Sequence, residues 1–157
     1  MKMIVLEEAC KEGNMEKLKE FVKKNDCDFS KFLPSEDLVN EAEKVLNIKF
    51  GEQLRKYLLT YGYLGYKYIM FAGLVANMGL KSDLVGETLA NHKYFKETEG
   101  LIYIEDQGDA DYYMIDSDDF VYRICPGAHI FEKLNIKLFD YMLERFECAK
   151  NNDSLIY

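Results

Sequence analysis

The chain has 157 residues, of which 48% are apolar and 31% are charged, and its net charge is −8. This length and composition are typical of a single domain that buries enough apolar surface to need neither disulfides nor a metal. The negative charge argues against a protein that binds nucleic acid, because such proteins usually carry a basic surface.

The N-terminal segment predicts a pair of helices. The first spans Ile4 to Lys11 and ends at Gly13, and Asn14 caps the second. The apolar side chains of the second helix recur at helical spacing; they are Met15, Leu18, Phe21 and Val22. The N-terminal apolar run, Met3 to Leu6, is too short for a signal peptide. No stretch approaches the ~20 apolar residues of a membrane span, so we expect a cytoplasmic protein that has no membrane partner.

Further elements follow in chain order. Ser35 caps a predicted helix that ends near Asn47, and a second helix ends at Gly62. The segment Tyr66 to Phe71 is rich in strand-forming residues, and a helix is predicted from Ser82 or Asp83 to about Phe95. Three strands are then predicted, joined by turns rich in aspartate, and a last helix follows; their bounds are Leu101 to Glu105, Tyr112 to Ile115, Phe120 to Ile124, and Lys137 to Cys148.

Helices before and after a run of strands, without βαβ alternation, predict an α+β fold. We expect a small, mainly antiparallel sheet flanked by helices, with the helix pair at the N-terminus. The predicted division of the chain is an N-terminal helical extension over residues 1–30, an α+β domain over residues 31–149, and a C-terminal tail over residues 150–157.

The middle of the chain resembles the SUKH superfamily, which includes cell-wall regulators of the Smi and Knr type and many bacterial toxin-immunity proteins. The residues that carry the resemblance extend from the helix before Asn47 to the three strands; the clearest matches are Leu46, Ile48, Phe50, Tyr57, Leu58, Tyr61, Gly62 and the segment Phe71 to Leu74. The chain departs from the family pattern at Asn47, where glycine is usual, and at Gly51, where proline is usual. The resemblance implies a SUKH-like α+β domain and a protein-binding module without catalysis.

The residues themselves give little support for catalysis. His92 and His129 have no serine, cysteine or carboxylate at a spacing that indicates a relay, so we expect no enzyme and no cofactor. The four cysteines, Cys10, Cys27, Cys125 and Cys148, form no CxxC pair, so we expect reduced thiols and no zinc site.

Seven acidic residues and one arginine give residues 101–125 a net charge of −6. Their spacing does not fit a calcium-binding EF-hand loop, because glycine and glutamate are missing at the sixth and twelfth positions, so no metal is expected. Solvated turns are the simplest interpretation, and Asp116 is best explained as an acceptor of hydrogen bonds from the turn after its strand.

Tyrosines accompany these acids, and Tyr112 and Tyr113 must point to opposite faces of a strand. One of the two is therefore a candidate contact for a partner, although core packing remains the simplest reading of the aromatic residues as a set; the set is Tyr57, Tyr61, Tyr63, Tyr66, Tyr68, Phe71, Tyr103, Tyr112, Tyr113 and Tyr122.

These features lead to one main functional hypothesis. The resemblance and the charge pattern together predict that an acidic, tyrosine-bearing face over residues 105–123 binds and occludes a basic toxin domain, such as a nuclease, whose substrate phosphates the carboxylates would imitate. The predicted partner-binding residues are Glu105, Asp106, Asp109, Asp111, Tyr112, Asp118 and Asp119. The alternative is a regulatory scaffold of the cell-wall-regulator type, with the N-terminal helix pair as its docking arm.

Overall fold

A computed structural model describes residues 14–152, which form five α-helices and seven β-strands. The helices are α1 (14–24), α2 (Glu36–Leu46), α3 (Glu52–Tyr61), α4 (Asp83–Tyr94) and α5 (Leu138–Asn152). The strands are β1 (Asp28–Phe29), β2 (Leu64–Tyr66), β3 (Ile69–Phe71), β4 (Ile102–Asp106), β5 (Tyr112–Ile115), β6 (Phe120–Cys125) and β7 (Ile130–Lys137).

Local sequence sets several of the helix ends. The Ser35 side chain accepts a hydrogen bond from the Leu38 N–H, which caps α2. Asn47 ends α2 in the left-handed conformation, with φ 55°, so it serves there in place of the family's usual glycine. Gly62 ends α3 with φ 73°, as its position after the last apolar residue predicts.

The strands form two antiparallel sheets, one in the order β1-β2-β3 and the other in the order β4-β5-β6-β7. The Ala72 N–H donates to the Ile104 carbonyl at 2.7 Å, which joins the end of β3 to β4. The predicted α+β class is confirmed. The strands form two sheets where one was expected, and the predicted strand segment Tyr66 to Phe71 contains the turn of the β2-β3 hairpin, with Lys67 at φ 55°.

Strand β7 was not predicted. Its sequence alternates apolar and polar residues only over the second half, where Leu134 and Ile136 pack against the core and Lys133 and Asn135 do not. Four alternating residues are too few to separate a strand from the start of the following helix. Helix α5 continues through Asn152, beyond the predicted end at Cys148.

The main core lies between the sheets and the helices. Leu18 and Phe21 of α1 are buried in it, and the Phe21 ring stacks on Phe146 of α5 with centroids 5.5 Å apart. The predicted helix Ile4 to Lys11 lies outside the described residues. The proposed division at residues 30 and 149 stays a prediction, and α1 contributes to the same core as α5.

Candidate functional site

The outward face of the β4-β7 sheet carries a cluster of aromatic and apolar side chains, which we call the tyrosine face. Strand register aligns Tyr103 with Met114 and Met114 with Tyr122, so these side chains share one side of the sheet. Met114 and Ile124 are fully buried, whereas the rings packed against them are half-buried. The tyrosine face consists of Leu101, Tyr103, Tyr112, Met114, Tyr122, Ile124 and Phe131.

The structure separates the two adjacent tyrosines as strand geometry requires. Tyr112 lies on the tyrosine face, where its ring meets Tyr103 edge-on at a centroid distance of 6.2 Å. Tyr113 points to the other side and stacks on Tyr141 of α5 at 5.4 Å. Tyr112 is therefore the member of the pair that can contact a partner at the tyrosine face.

Carboxylates surround the hydroxyl groups of this face. Burial raises the pKa of Tyr103, and the nearby carboxylates of Asp106, Glu87 and Asp83 raise it further. Burial also raises the pKa of Tyr122, whose hydroxyl donates to Asp116 at 3.1 Å. Tyr103 and Tyr122 therefore stay protonated at neutral pH, and neutral rings beside carboxylates suit the cationic side chains of a partner.

The acidic turns lie at the two ends of the tyrosine face. Asp106 is the last residue of β4 and Asp109 lies in the β4-β5 turn that follows it, whereas the β5-β6 turn carries Asp118. Because β5 is antiparallel to both neighbours, these turns are at opposite ends of the sheet, separated by the four residues of β5, or ~13 Å. The predicted acidic segment is therefore two exposed acidic turns with the aromatic cluster between them.

The Asp116 carboxylate stabilises the β5-β6 turn, as predicted. Its carboxylate accepts hydrogen bonds from the N–H groups of Asp118 and Phe120 at 2.9 and 3.1 Å. In the first turn, the Asp106 carboxylate accepts the Gly108 N–H at 2.7 Å, and Asp109 has φ 55°. The exposed carboxylates are therefore presented on turns with internal hydrogen bonds.

Glu105 was predicted to bind a partner, and this prediction is wrong because the side chain is buried. It is 2% exposed, and its carboxylate accepts hydrogen bonds from Arg145 at 2.7 and 3.1 Å and from the Tyr141 hydroxyl. An irregularity in the pairing of β4 with β5, between Tyr103 and Glu105, places Glu105 opposite Tyr113 on the inner side. Simple alternation along the strand cannot show such a bulge.

Asp119 was also predicted to bind a partner, and this prediction is wrong for the same reason. It is 4% exposed, and its carboxylate accepts the N–H groups of Gln53 and Leu54 at 2.9 and 3.0 Å, which satisfies the first turn of α3. Burial raises the pKa of this carboxyl, and the two N–H donors act in the opposite direction. A Cβ atom on Gly51 would lie 2.3 Å from the Asp119 carboxylate, so this close approach explains the glycine at position 51.

Asp111 is partly withdrawn from solvent. Its carboxylate is paired with Arg123 at 3.0 Å, and its side chain is 23% exposed. Of the predicted residues, Asp106, Asp109 and Asp118 are exposed and Tyr112 is half-buried. Asp106 and Tyr112 belong to the same end of the sheet, and Asp118 belongs to the other.

Three further contributors were not assigned to the site from the sequence. Phe131 belongs to the unpredicted strand β7. Asp83 and Glu87 lie on a predicted helix, but only the packing of α4 against β4 brings them near Tyr103. The four-residue spacing of these two acids, which places them on one face of the predicted helix, is the sequence signal that could have found them.

The two histidines considered for catalysis lie in different elements of the fold. A ring nitrogen of His92 lies 2.8 Å from the Leu101 carbonyl oxygen, whereas His129 is exposed in the turn before β7.

Within residues 14–152, no three His, Cys, Asp or Glu side chains are grouped so that they could hold a metal ion. Cys27, Cys125 and Cys148 are free thiols. No helix in the same part of the chain is long and apolar enough to cross a membrane.

Comparison with known proteins gives a consistent fold. A family model described as SUKH_5, SMI1-KNR4 cell-wall, matches residues 14–141. The crystal structure of a protein from Pseudomonas syringae pv. tomato is similar, with a TM-score of 0.55 and 22% sequence identity over 69% of this chain and 81% of that chain. This likeness concerns the fold. No curated protein sequence matches the chain.

Proposed function

Because this chain belongs to the SMI1-KNR4 family of the SUKH superfamily, we propose that it is a non-catalytic protein-binding module, and more specifically a cytoplasmic immunity protein that binds and occludes a basic toxin domain. The supporting observation is the tyrosine face with an exposed acidic turn at each end. A fold alone does not define a partner, so the proposal rests on the chemistry of this face.

The two parts of the site serve different steps of binding. The carboxylates of Asp106, Asp109 and Asp118 attract a basic partner over distance and speed encounter. Tyr103 and Tyr112 then lose their remaining solvent exposure against the partner, which slows dissociation, since tyrosines are frequent hot spots of binding energy.

Occlusion follows from the same arrangement. The cleft of a nuclease toxin is basic because it binds phosphates, and carboxylates separated by the length of β5 can occupy two phosphate positions. The aromatic cluster between the turns excludes water from the contact. In this mechanism the protein blocks the substrate site and performs no reaction.

Growth protection tests this proposal. A candidate toxin domain encoded by a neighbouring gene is expressed from an inducible promoter, and the wild-type protein is expected to restore growth. Tyr112→Ala should reduce protection, whereas Tyr94→Ala, which changes a tyrosine 70% exposed on α4 and outside the tyrosine face, should not. Absence of protection by the wild-type protein would refute the immunity role, and full protection by Tyr112→Ala would refute this face.

A regulatory scaffold is the second candidate, and the family description, which refers to the cell wall, favours it. Removal of residues 1–13 is the appropriate test of a docking arm. A longer deletion to residue 30 would remove Leu18 and Phe21 from the core and would unfold the domain. A scaffold should lose its partner when residues 1–13 are removed, whereas an immunity protein should still protect.

A further inference from the structure

A second surface lies on the outward side of the β1-β3 sheet. It is a groove of about 480 Å³ between β3 and the segment 75–83, and we call it the methionine groove. Its volume is within the range of ~300–1,000 Å³ that is common for binding sites. Its apolar lining comes from Tyr63, Met70, Val75 and Met78, and its charged lining from Asp28, Lys81 and Asp83.

The floor of the groove depends on a glycine. Asp28, Gly65 and Met70 are aligned across the three strands, so they face the same side of the sheet. Because Gly65 has no side chain, Met70 lies across it, and a Cβ atom at Gly65 would be 2.6 Å from the Met70 methyl carbon. The thioether of Met70 therefore forms the floor between two neighbouring strands.

The wall of the groove opposite Met70 is the segment that carries Met78, and hydrogen bonds stabilise it. The Ser82 hydroxyl accepts the Val75 N–H at 3.0 Å and donates to the Gly79 carbonyl at 2.7 Å, which closes the segment that carries Met78. Ser82 is 2% exposed, so these bonds are shielded from water. The groove is therefore a formed feature of the fold.

The apolar lining is unusually exposed. Met70 is 48% exposed and Met78 is 54% exposed. The Ala76 N–H donates to the Phe32 carbonyl at 2.9 Å, so the backbone of a further apolar residue that is 57% exposed lies beside the same segment. Exposed apolar surface of this kind marks interaction sites, and methionine adapts to varied apolar partners.

The charges of the groove favour a cation. The Asp83 carboxylate accepts the N–H groups of Gly73 and Leu84, each at 2.9 Å, and the Asp28 carboxylate accepts the Tyr63 hydroxyl at 3.4 Å. These contacts fix two carboxylates at the groove, against a single lysine among its lining residues. A partner segment that combines apolar and cationic side chains complements both features.

We propose that the methionine groove binds a short segment of a partner protein that carries a leucine- or methionine-sized side chain next to a lysine or arginine. The apolar side chain would lie against Met70 and Met78, and the cation would pair with Asp28 or Asp83. The groove has Asp83 in common with the surroundings of Tyr103, but its other lining residues differ from those of the tyrosine face, and the inference does not depend on the immunity role.

The test uses the full chain labelled with ¹³C at the methionine methyl groups. The probe is a synthetic peptide in which leucine and lysine alternate. We expect its addition to shift the Met70 and Met78 signals saturably, whereas Met142, which is 0% exposed in the main core, should not move. A peptide with serine in place of leucine, and one with glutamate in place of lysine, should each bind at least tenfold more weakly.

Matched variants complete the test. Met78→Lys should weaken binding of the leucine-lysine peptide at least tenfold, and Leu89→Lys, at a site 43% exposed on α4, should leave it unchanged. The proposal is overturned if the probe causes no saturable shift, or if either control peptide binds as well as the probe. Shifts that depend on protein concentration without peptide would instead assign the groove to a second copy of this chain.

Discussion

Asp118 and Asp119 are neighbours with the same chemistry, yet the fold uses them differently. The Asp118 side chain is exposed in the β5-β6 turn. Asp119 turns inward and accepts two N–H groups at the start of α3, about 65 residues away in the sequence. A sequence pattern treats both as turn acids, because the helix that Asp119 satisfies becomes its neighbour only through folding.

Alanine substitution distinguishes these roles. Asp119→Ala leaves two buried N–H groups of α3 without an acceptor, so we expect it to lower the free energy of unfolding by about 1–3 kcal/mol. Asp118→Ala is the matched control and should change stability by less than ~0.5 kcal/mol. Urea unfolding followed by circular dichroism measures both values, and equal losses would contradict the assigned role of Asp119.

The ion pair between β4 and α5 joins two elements that the sequence predicted, but the pair itself could not be predicted. The helical spacing of α5 predicted its buried face, and the strand residues of β4 and β5 were also predicted. The bulge that turns Glu105 inward to Arg145 leaves no mark in the sequence, because it depends on pairing with β5. The exposed residues of the candidate site, by contrast, could be chosen from turn chemistry, and Asp106, Asp109 and Asp118 are accessible as chosen.

Two arginines test the importance of this pair. Arg145→Met leaves the buried Glu105 carboxylate without its cation, so we expect a loss of about 3–5 kcal/mol in the free energy of unfolding. Arg123→Met removes the partner of Asp111 in a more exposed pair, whose side chains are 38% and 23% exposed, and should cost ~0–1 kcal/mol. Similar losses in the two variants would show that the β4-α5 pair does not stabilise the fold.

Buried tyrosines govern the stability of the whole molecule at high pH. Burial raises the pKa of Tyr61 to about 12 and raises the pKa values of Tyr57 and Tyr141 as well. Above pH ~10 the unfolded chain loses phenolic protons that the folded chain retains, so the free energy of unfolding falls as the pH rises.

The measurement is a titration that follows tyrosinate absorbance and circular dichroism together. We expect one phase of the absorbance increase to coincide with loss of the helical signal, since the buried phenols ionise only when the chain unfolds. Complete ionisation of the tyrosines before any loss of helix would contradict the burial of these rings.

On the scale of the whole molecule, the feature that matters most for a basic partner is the position of the exposed negative charges. The chain carries a net charge of −8, and three exposed carboxylates stand at the two ends of one aromatic face. If this face binds a basic protein, the association rate depends on the position of the negative charges as well as on the net charge.

The most direct test is the association rate with the basic toxin domain, measured by stopped flow across a series of salt concentrations. The triple variant Asp106→Lys, Asp109→Lys, Asp118→Lys should associate about tenfold more slowly at low salt, with a weaker salt dependence. The control Glu36→Lys, Glu41→Lys, Glu97→Lys changes the net charge equally at exposed sites elsewhere and should retain most of the wild-type rate. Equal rates for the two triple variants would contradict the role of the acidic turns and the tyrosine face.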